Sequence, residues 1–276
     1  MPTAHDYVLG REVSHSVRLD AQHLLWTVHL GHVIHPCIPL REDMRIADLG
    51  CGTGTWLMDL ARTVPGTIQL DGYDISDKQF PPRQLWPANV SLGLLNSLQD
   101  PPSSLTGQYD VVHLRMWASN LRAGDFGLLL GSVKKMLKPG GYIQWEDADL
   151  VHQHVQTDEA RDFEKSMNAL FMKSGVDYSW VHALPATLRR ENVVVLHADQ
   201  EAFSTSAVHL CTKLYLLALE EIIEGITATL SEDEGQEGLR MAHECRKTLK
   251  QLISRCNLGL VYNWGPVSIV AKVFGG

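Results

Sequence analysis

Three glycines at alternate positions, Gly50, Gly52 and Gly54, lie in the run Ile46-Ala47-Asp48-Leu49-Gly50-Cys51-Gly52-Thr53-Gly54, where an apolar strand pattern gives way to a helical one. Glycine at such a junction lets the backbone approach a ligand closely and take torsions that a Cβ forbids. The start of a helix leaves amide N–H groups without partners in the same space. The chemistry implied is binding of a nucleotide-like ligand. A dinucleotide loop would read G-x-G-x-x-G, but the sixth position counted from Gly50 is Thr55. A P-loop needs Gly-Lys-Ser/Thr, and this loop has no lysine. Asp48, two residues before Gly50, would repel a pyrophosphate and suits a ligand with an ammonium or sulfonium group. Asp74, twenty residues beyond Gly54, ends the next strand pattern, where an acid can accept both hydroxyls of a ribose.

The elements that must hold these residues are readable from periodicity. Strands are predicted at Met44–Leu49, Ile68–Asp74, Val90–Leu95, Tyr109–Leu114 and Tyr142–Glu146, the last after a Lys138-Pro139-Gly140-Gly141 turn. Helices are predicted at Thr55–Arg62 and Phe126–Leu137 between them. Strands joined by single crossovers of this length form a doubly wound, mostly parallel α/β sheet. Ser14–Leu30 reads as an N-terminal helix with Val17, Leu24, Leu25 and Val28 on one apolar face. Beyond residue 156 the pattern is mostly helical, over Asp158–Lys173, Ala207–Leu230 and Gln236–Cys256. Asn192–His197 and Tyr262–Val273 are predicted as further strands, the second closing the sheet.

On these residues, positions 44–150 resemble the class I S-adenosylmethionine-dependent methyltransferases. DLGCGTG at Asp48–Gly54 is similar to their first motif, and Tyr73-Asp74-Ile75-Ser76 to their ribose-binding turn. Leu94–Leu98 corresponds to their adenine-binding turn, where the family usually carries an acid and this chain has Asn96, then Ser97 and Leu98. An asparagine can still hydrogen-bond an adenine amino group through its side-chain oxygen. Tyr109–Arg115 and Leu137–Asp147 resemble the fourth and fifth strands of the same fold, and Tyr7–His23, Gly31–Pro39 and Gly52–Ala61 resemble a group of fungal methyltransferases that includes tailoring enzymes of secondary metabolism. The resemblance implies a Rossmann-like methyltransferase domain over residues 1–276, with a helical cap at 1–40, a cofactor core at 41–156, helical substrate-side additions at 157–257 and a closing strand at 258–276. It implies S-adenosylmethionine as cofactor, with S-adenosylhomocysteine as product. The implied cofactor set is Tyr7, Arg18, Asp48, Gly50, Gly52, Gly54, Asp74, Ile75, Asn96, Ser97, Leu98 and Arg115, with Asp48 toward the methionine ammonium and Arg115 or Arg18 toward its carboxylate.

Methyl transfer is an in-line displacement at a sulfonium, so alignment and exclusion of water lower most of the barrier. A base matters only when the acceptor carries a proton, and for a hydroxyl it contributes about 100- to 10,000-fold. His23, on the N-terminal helix, and His113, one residue inside the end of the fourth strand, are the candidates; packing roles fit both as well. Trp117, Trp145 and Glu146, at strand ends facing the expected cleft, are candidate substrate contacts, whereas Trp56 fits a helix-packing role. Glu146, Asp147, Asp149, His152 and His154 are the one metal-like cluster. A hard ion needs converging oxygens, and Asp147 and His152 can fall on opposite faces, so no metal is expected.

Composition bounds the partners. Twenty-four Lys and Arg stand against 32 Asp and Glu, a net charge of −8, which argues against an extended nucleic-acid track. No apolar run approaches a membrane span and no signal sequence is visible, so a soluble cytoplasmic protein is expected. Five cysteines without C-x-x-C spacing fit a reducing compartment. Six of the 13 histidines fall in the first 35 residues, which suggests that this segment is a lid over the cleft. The expected activity is methylation of a small molecule, at oxygen first and at nitrogen or sulfur as the alternative. A regulator of secondary metabolism and a cofactor-binding pericyclase or isomerase are the alternatives of another class. A homodimer through Leu210–Ile223 is left open, since a helix apolar on most sides is also what a buried helix looks like.

Overall fold

The computed structural model describes residues 12–122, 124–175, 178–229 and 235–274. Among them the elements run α1 (Val13–Leu30), β1 (Arg45–Leu49), α2 (Thr55–Ala61), β2 (Gln69–Asp74), β3 (Val90–Leu94), β4 (Tyr109–Arg115), α3 (Asp125–Met136), β5 (Leu137–Val155), α4 (Asp158–Lys173), α5 (Ser179–His182), α6 (Leu184–Arg190), β6 (Val193–Asp199), α7 (Thr205–Thr229), α8 (Gly235–Arg255) and β7 (Tyr262–Val273). Seven strands form one sheet in the order β3-β2-β1-β4-β5-β7-β6. β1 to β5 pair in parallel, and β7 enters antiparallel between β5 and β6. This is the doubly wound α/β sheet that the alternating pattern predicts, with the closing strand in place. The strand order reverses at β1, between β2 and β4, and ligands of open α/β sheets bind beyond the carboxyl ends of the strands at such a point.

Two features differ from the sequence reading. β5 runs from Leu137 to Val155, well past the predicted Tyr142–Glu146. The Lys-Pro-Gly-Gly stretch is a bulge inside the ladder, since Tyr109 pairs with Leu137 and Val111 with Tyr142. The second difference is the face of α1. Val17, Leu24 and Val28 are 60%, 54% and 50% exposed, while Arg18, Gln22, Leu25 and Trp26 are buried. α1 packs against α7 and α2. Its inward face is set by polar partners on those helices, which an apolar periodicity cannot register.

α7 supplies Leu214, Tyr215, Leu219, Ile222 and Ile223 to the core, so most of the apolar Leu210–Ile223 stretch is buried within this chain. Among the described residues no helix is long and apolar enough to cross a membrane.

Candidate cofactor and acceptor site

The glycine loop leaves β1 with Gly50 at φ +70° and Gly52 at φ +52°. Both torsions lie in the left-handed region that a side chain disfavours. A Cβ on Gly50 would also come within 3.1 Å of the Trp117 indole, and one on Gly52 within 3.3 Å of Leu19. The loop is tied to β2, because the Gly50 and Cys51 amides both donate to the Tyr73 carbonyl, at 2.8 and 3.0 Å. The Gly52 amide donates to Asp74 Oδ2 at 2.9 Å, and Ser76 N donates to Oδ1 at 3.1 Å, so the ribose-type acid sits directly against the loop. From α1, Asp20 Oδ1 accepts from the hydroxyls of Thr53 and Thr55 at 2.7 and 2.5 Å and holds the loop from above. Asn96 Oδ1 accepts from Leu98 N at 3.0 Å, an Asx turn that shapes the 96–98 corner.

Behind the loop lies a chain of buried charges built by strand register. Asp48 faces His113 across β1 and β4, and Arg115 faces Glu146 across β4 and β5. Period-two alternation puts residues 113 and 115, and 144 and 146, on one face. His113 Nδ1 donates to Asp48 Oδ1 and Nε2 to Glu146 Oε2, each at 2.7 Å. Both acceptors are carboxylates, so both ring nitrogens carry hydrogen and the ring is an imidazolium. Burial opposes this, but Glu146 and Asp48 outweigh it and raise the His113 pKa. Trp56 stacks on the ring at 3.8 Å and 4°, which suits a cationic imidazole. Burial also works against the Glu146 charge, yet Arg115 and His113 bring its pKa to about 2.

Arg115 extends the chain to α1. Its Nε donates to Glu146 Oε2 at 2.9 Å, and its Nη1 lies 3.0 Å from His23 Nδ1. A guanidinium can only donate. His23 Nδ1 is therefore the acceptor, and Nε2–H donates to Asp59 Oδ2 at 3.0 Å. Burial, and then the Arg115 charge, lower the His23 pKa. Neither candidate base thus has a ring nitrogen to offer an acceptor: His113 is fixed as a cation and His23 as a neutral tautomer.

The two arginines differ in what they have left. Arg18 is spent on Glu221 of α7, with Nε and Nη2 at 2.5 and 2.9 Å, and on Gln22 at 3.2 Å. Arg115 keeps one buried nitrogen, Nη2, without a hydrogen-bond partner among the described residues. An orphaned guanidinium nitrogen of this kind fits an anionic group such as a carboxylate.

One cavity is lined by Arg18, His23, Asp48, Gly50, Gly52, Asp74, Ile75, Asn96, Ser97, Leu98, His113, Arg115 and Trp117. It is also lined by Met116, Ala148, Leu150, Tyr215, Ala218, Ile222 and Trp264, an apolar set from the turn after β4 and from β5, α7 and β7. Most of the residues singled out in the sequence therefore meet here. Trp117 belongs to this wall, its Nε1 donating to the Leu49 carbonyl at 3.1 Å.

Gly54, Trp145 and Glu146 lie outside the lining; Gly54 starts α2, where a Cβ would meet Leu92 and Met58 instead. Strand alternation sends Trp145 to the opposite face, where it packs on Phe126 and Trp180. Glu146 is covered by His113, Arg115 and Gln144 and supports the site from below. Tyr7 lies outside the described residues. Of the N-terminal histidines His15, His29, His32 and His35 are also away from the lining. His15 accepts from the Glu12 amide at the start of α1, His29 packs on Trp26 and Phe203, and His32 and His35 stack toward His197.

Sequence reading missed two contributors and the role of a third. Tyr215 and Trp264 line the cavity with rings 5.3 Å apart, and the Tyr215 hydroxyl and Trp264 Nε1 are buried without partners among the described residues. The third is Asp147, which accepts from Trp117 N, Ala118 N, Ala148 N and Trp145 Nε1 at 2.9–3.0 Å. It pins the turn in which Met116 takes φ +58° and carries Trp117 onto Gly50. Burial raises the Asp147 pKa to about 6 against the pull of those donors.

A family model described as a methyltransferase domain matches residues 27–171. The chain is 33% identical over 209 residues to the methyltransferase grgD of a Penicillium species, a match covering 70% of this chain and 72% of that protein. It is 34% identical over 206 residues to the N-methyltransferase tcpN of Claviceps purpurea, covering 72% of each. Among solved structures, Haemonchus contortus phosphoethanolamine N-methyltransferase 2, in complex with phosphomonomethylethanolamine and S-adenosylhomocysteine, has a similar fold. Its TM-score is 0.51 at 13% identity, over 93% of this chain and 58% of that one.

Proposed function

The chain belongs to the methyltransferase-domain family, and from that premise we propose that it methylates a small, largely apolar amine with S-adenosylmethionine as donor. The observation that carries the reading is a single cavity that joins the glycine loop, Asp74 and Arg115 to an apolar chamber under α7. When bound, S-adenosylmethionine supplies a methyl group on a positively charged sulfur. Asp74 would accept from the ribose hydroxyls, the Asn96–Leu98 turn would border the adenine, and Arg115 Nη2 would hold the methionine carboxylate. Asp48 shares its charge with His113, so its draw on the ammonium is tempered.

Nitrogen is favoured over the oxygen acceptor expected first. A hydroxyl must lose its proton to a base as it attacks. His23 and His113 both have their ring nitrogens engaged. A neutral amine attacks with its own lone pair and sheds its proton to water afterwards. The tcpN relative, named an N-methyltransferase, supports the same choice. Tyr215 and Trp264 would offer their hydrogens to an oxygen of the acceptor, because a buried donor without a partner costs about 1–3 kcal/mol.

Calorimetric titration with S-adenosylhomocysteine tests the cofactor half: tight binding is expected, with at least about tenfold loss in Asp74→Ala, a cost of about 1.4 kcal/mol. No binding, or no effect of the substitution, overturns it. Labelled S-adenosylmethionine offered to amines, phenols, carboxylic acids and thiols tests the other half. Label on amines is expected; label on phenols or acids alone would restore the oxygen reading. A rearranged product without label would point to the isomerase alternative.

A further inference from the structure

The acidic and histidine-rich run that ends β5 is divided in the folded chain. Glu146 supports His113 and Arg115, and Asp147 pins the Met116 turn. Asp149 and His152 instead converge with His182 of α5. We propose that Asp149, His152 and His182 form a binding site for a divalent first-row transition-metal ion of the zinc class.

The convergence is built into the backbone. Asp149 pairs with Gly265 and His154 with Asn263, so four residues of β5 (150–153) stand opposite Trp264 alone. That bulge turns His152 back over Asp149, as bulges re-aim side chains. Gly265 permits it: a Cβ there would stand 3.0 Å from the His152 carbonyl and 3.4 Å from Asp149 Cβ. The carboxylate is oriented before any ion arrives, since Asp149 Oδ1 accepts from Val151 N and His152 N at 2.9 and 3.0 Å. Its Oδ2 faces two imidazoles, with His152 Nδ1 at 2.8 Å and His182 Nδ1 at 3.0 Å.

One ligand atom from each residue lies within 4.8 Å of the others. A tetrahedral ion with bonds of roughly 2.0–2.1 Å needs ligand atoms about 3.3 Å apart, so a small outward shift seats it. Each imidazole would present its Nδ1 lone pair by moving that proton to Nε2. Two imidazoles and one carboxylate suit zinc and its neighbours, whereas magnesium and calcium require several oxygens. The side chain of Asp149 is 5% exposed and those of His152 and His182 are 60% and 54% exposed, so water can complete the coordination from the imidazole side.

The ion would position rather than react. Ala148 and Leu150, on either side of Asp149, line the main cavity, while the three ligands do not. Fastening α5 to β5 would fix that wall of the acceptor chamber.

The test is calorimetric titration of the chelator-treated full chain with Zn²⁺. One equivalent is expected, with His152→Ala and His182→Ala each weakening binding at least about tenfold. Both histidines are exposed, so these variants keep the fold. Excess Mg²⁺ should leave the Zn²⁺ isotherm unchanged, and Zn²⁺ should raise the melting temperature of the parent chain but not of the two variants. No binding of Zn²⁺, binding unaffected by both substitutions, or displacement by Mg²⁺ would each overturn the proposal, and would leave the Asp149 contacts as hydrogen bonds alone.

Discussion

His23 shows how one hydrogen-bond direction decides a residue's part. As a general base its removal would cut kcat by about 100- to 10,000-fold and leave cofactor affinity intact. Its geometry assigns it to hold Arg115 instead, accepting at Nδ1 and donating from Nε2 to Asp59. His23→Ala should therefore weaken S-adenosylhomocysteine binding and kcat together, each by about 10- to 100-fold at most, the scale of one hydrogen bond to a charge. His23→Gln, whose amide can both accept and donate, should restore most of the loss. Both follow from steady-state kinetics and calorimetry, and a large kcat defect with binding unchanged would return His23 to the role of base. At this scale Asp48, Gly50, Gly52 and Asp74 were legible because covalent spacing alone brings them to one strand end and the next. The pairing of His113 with two carboxylates was not, since it depends on the register of β4 against β1 and β5. Tyr215 and Trp264 stayed invisible for a different reason: what marks them is a missing partner, and only burial reveals that.

Elements were legible wherever a period of two or of three to four dominated, as in the five parallel strands and the long helices α4, α7 and α8. The helix α1 itself was legible, but its inward face was misread because its orientation is set by charge. Arg18 and Glu221 form a bidentate pair with both side chains under 8% exposed, joining α1 to α7. A buried pair is costly to break and often little better than an apolar substitute. Glu221→Leu alone strands the Arg18 cation and should cost about 3–5 kcal/mol in urea unfolding. Arg18→Met with Glu221→Leu should recover most of that loss. If the double variant is as unstable as the two single losses added together, α1 is not held by this pair. The same logic explains the second misreading: the Lys-Pro-Gly-Gly stretch has turn composition, but the ladder on either side absorbs it as a bulge in β5.

At the scale of the whole molecule the histidine-rich beginning, whose helix α1 lends Arg18, Leu19, Gln22 and His23 to the cavity wall, is also a statement about pH. Burial lowers the pKa of His23, His29, His32 and His35, and for His35 the neighbouring His197 and His32 help to bring it to about 4. In the unfolded chain each returns to about 6.5. Below that pH the unfolded state takes up protons that the folded state refuses, so stability falls as pH drops from about 6.5 toward 4. His113 offsets part of this loss. Its raised pKa keeps it charged in the folded state, so its contribution grows as pH falls through about 6.5 and is complete below that pH. Asp147, raised to about 6, takes up its proton early in the folded state and also works the other way, between about 6 and 3.8, so two groups stand against four. Glu146, held near 2, adds to the acid loss only below about 4.5. Long-range repulsion would give the opposite trend, because a chain of net charge −8 approaches neutrality near its pI of about 5.9. The melting temperature should therefore fall between pH 7 and pH 5 despite the falling net charge, and the His35 ring protons should titrate near 4 in NMR spectra. A melting temperature that holds or rises over that interval would mean that the buried histidines do not govern the acid stability of the fold.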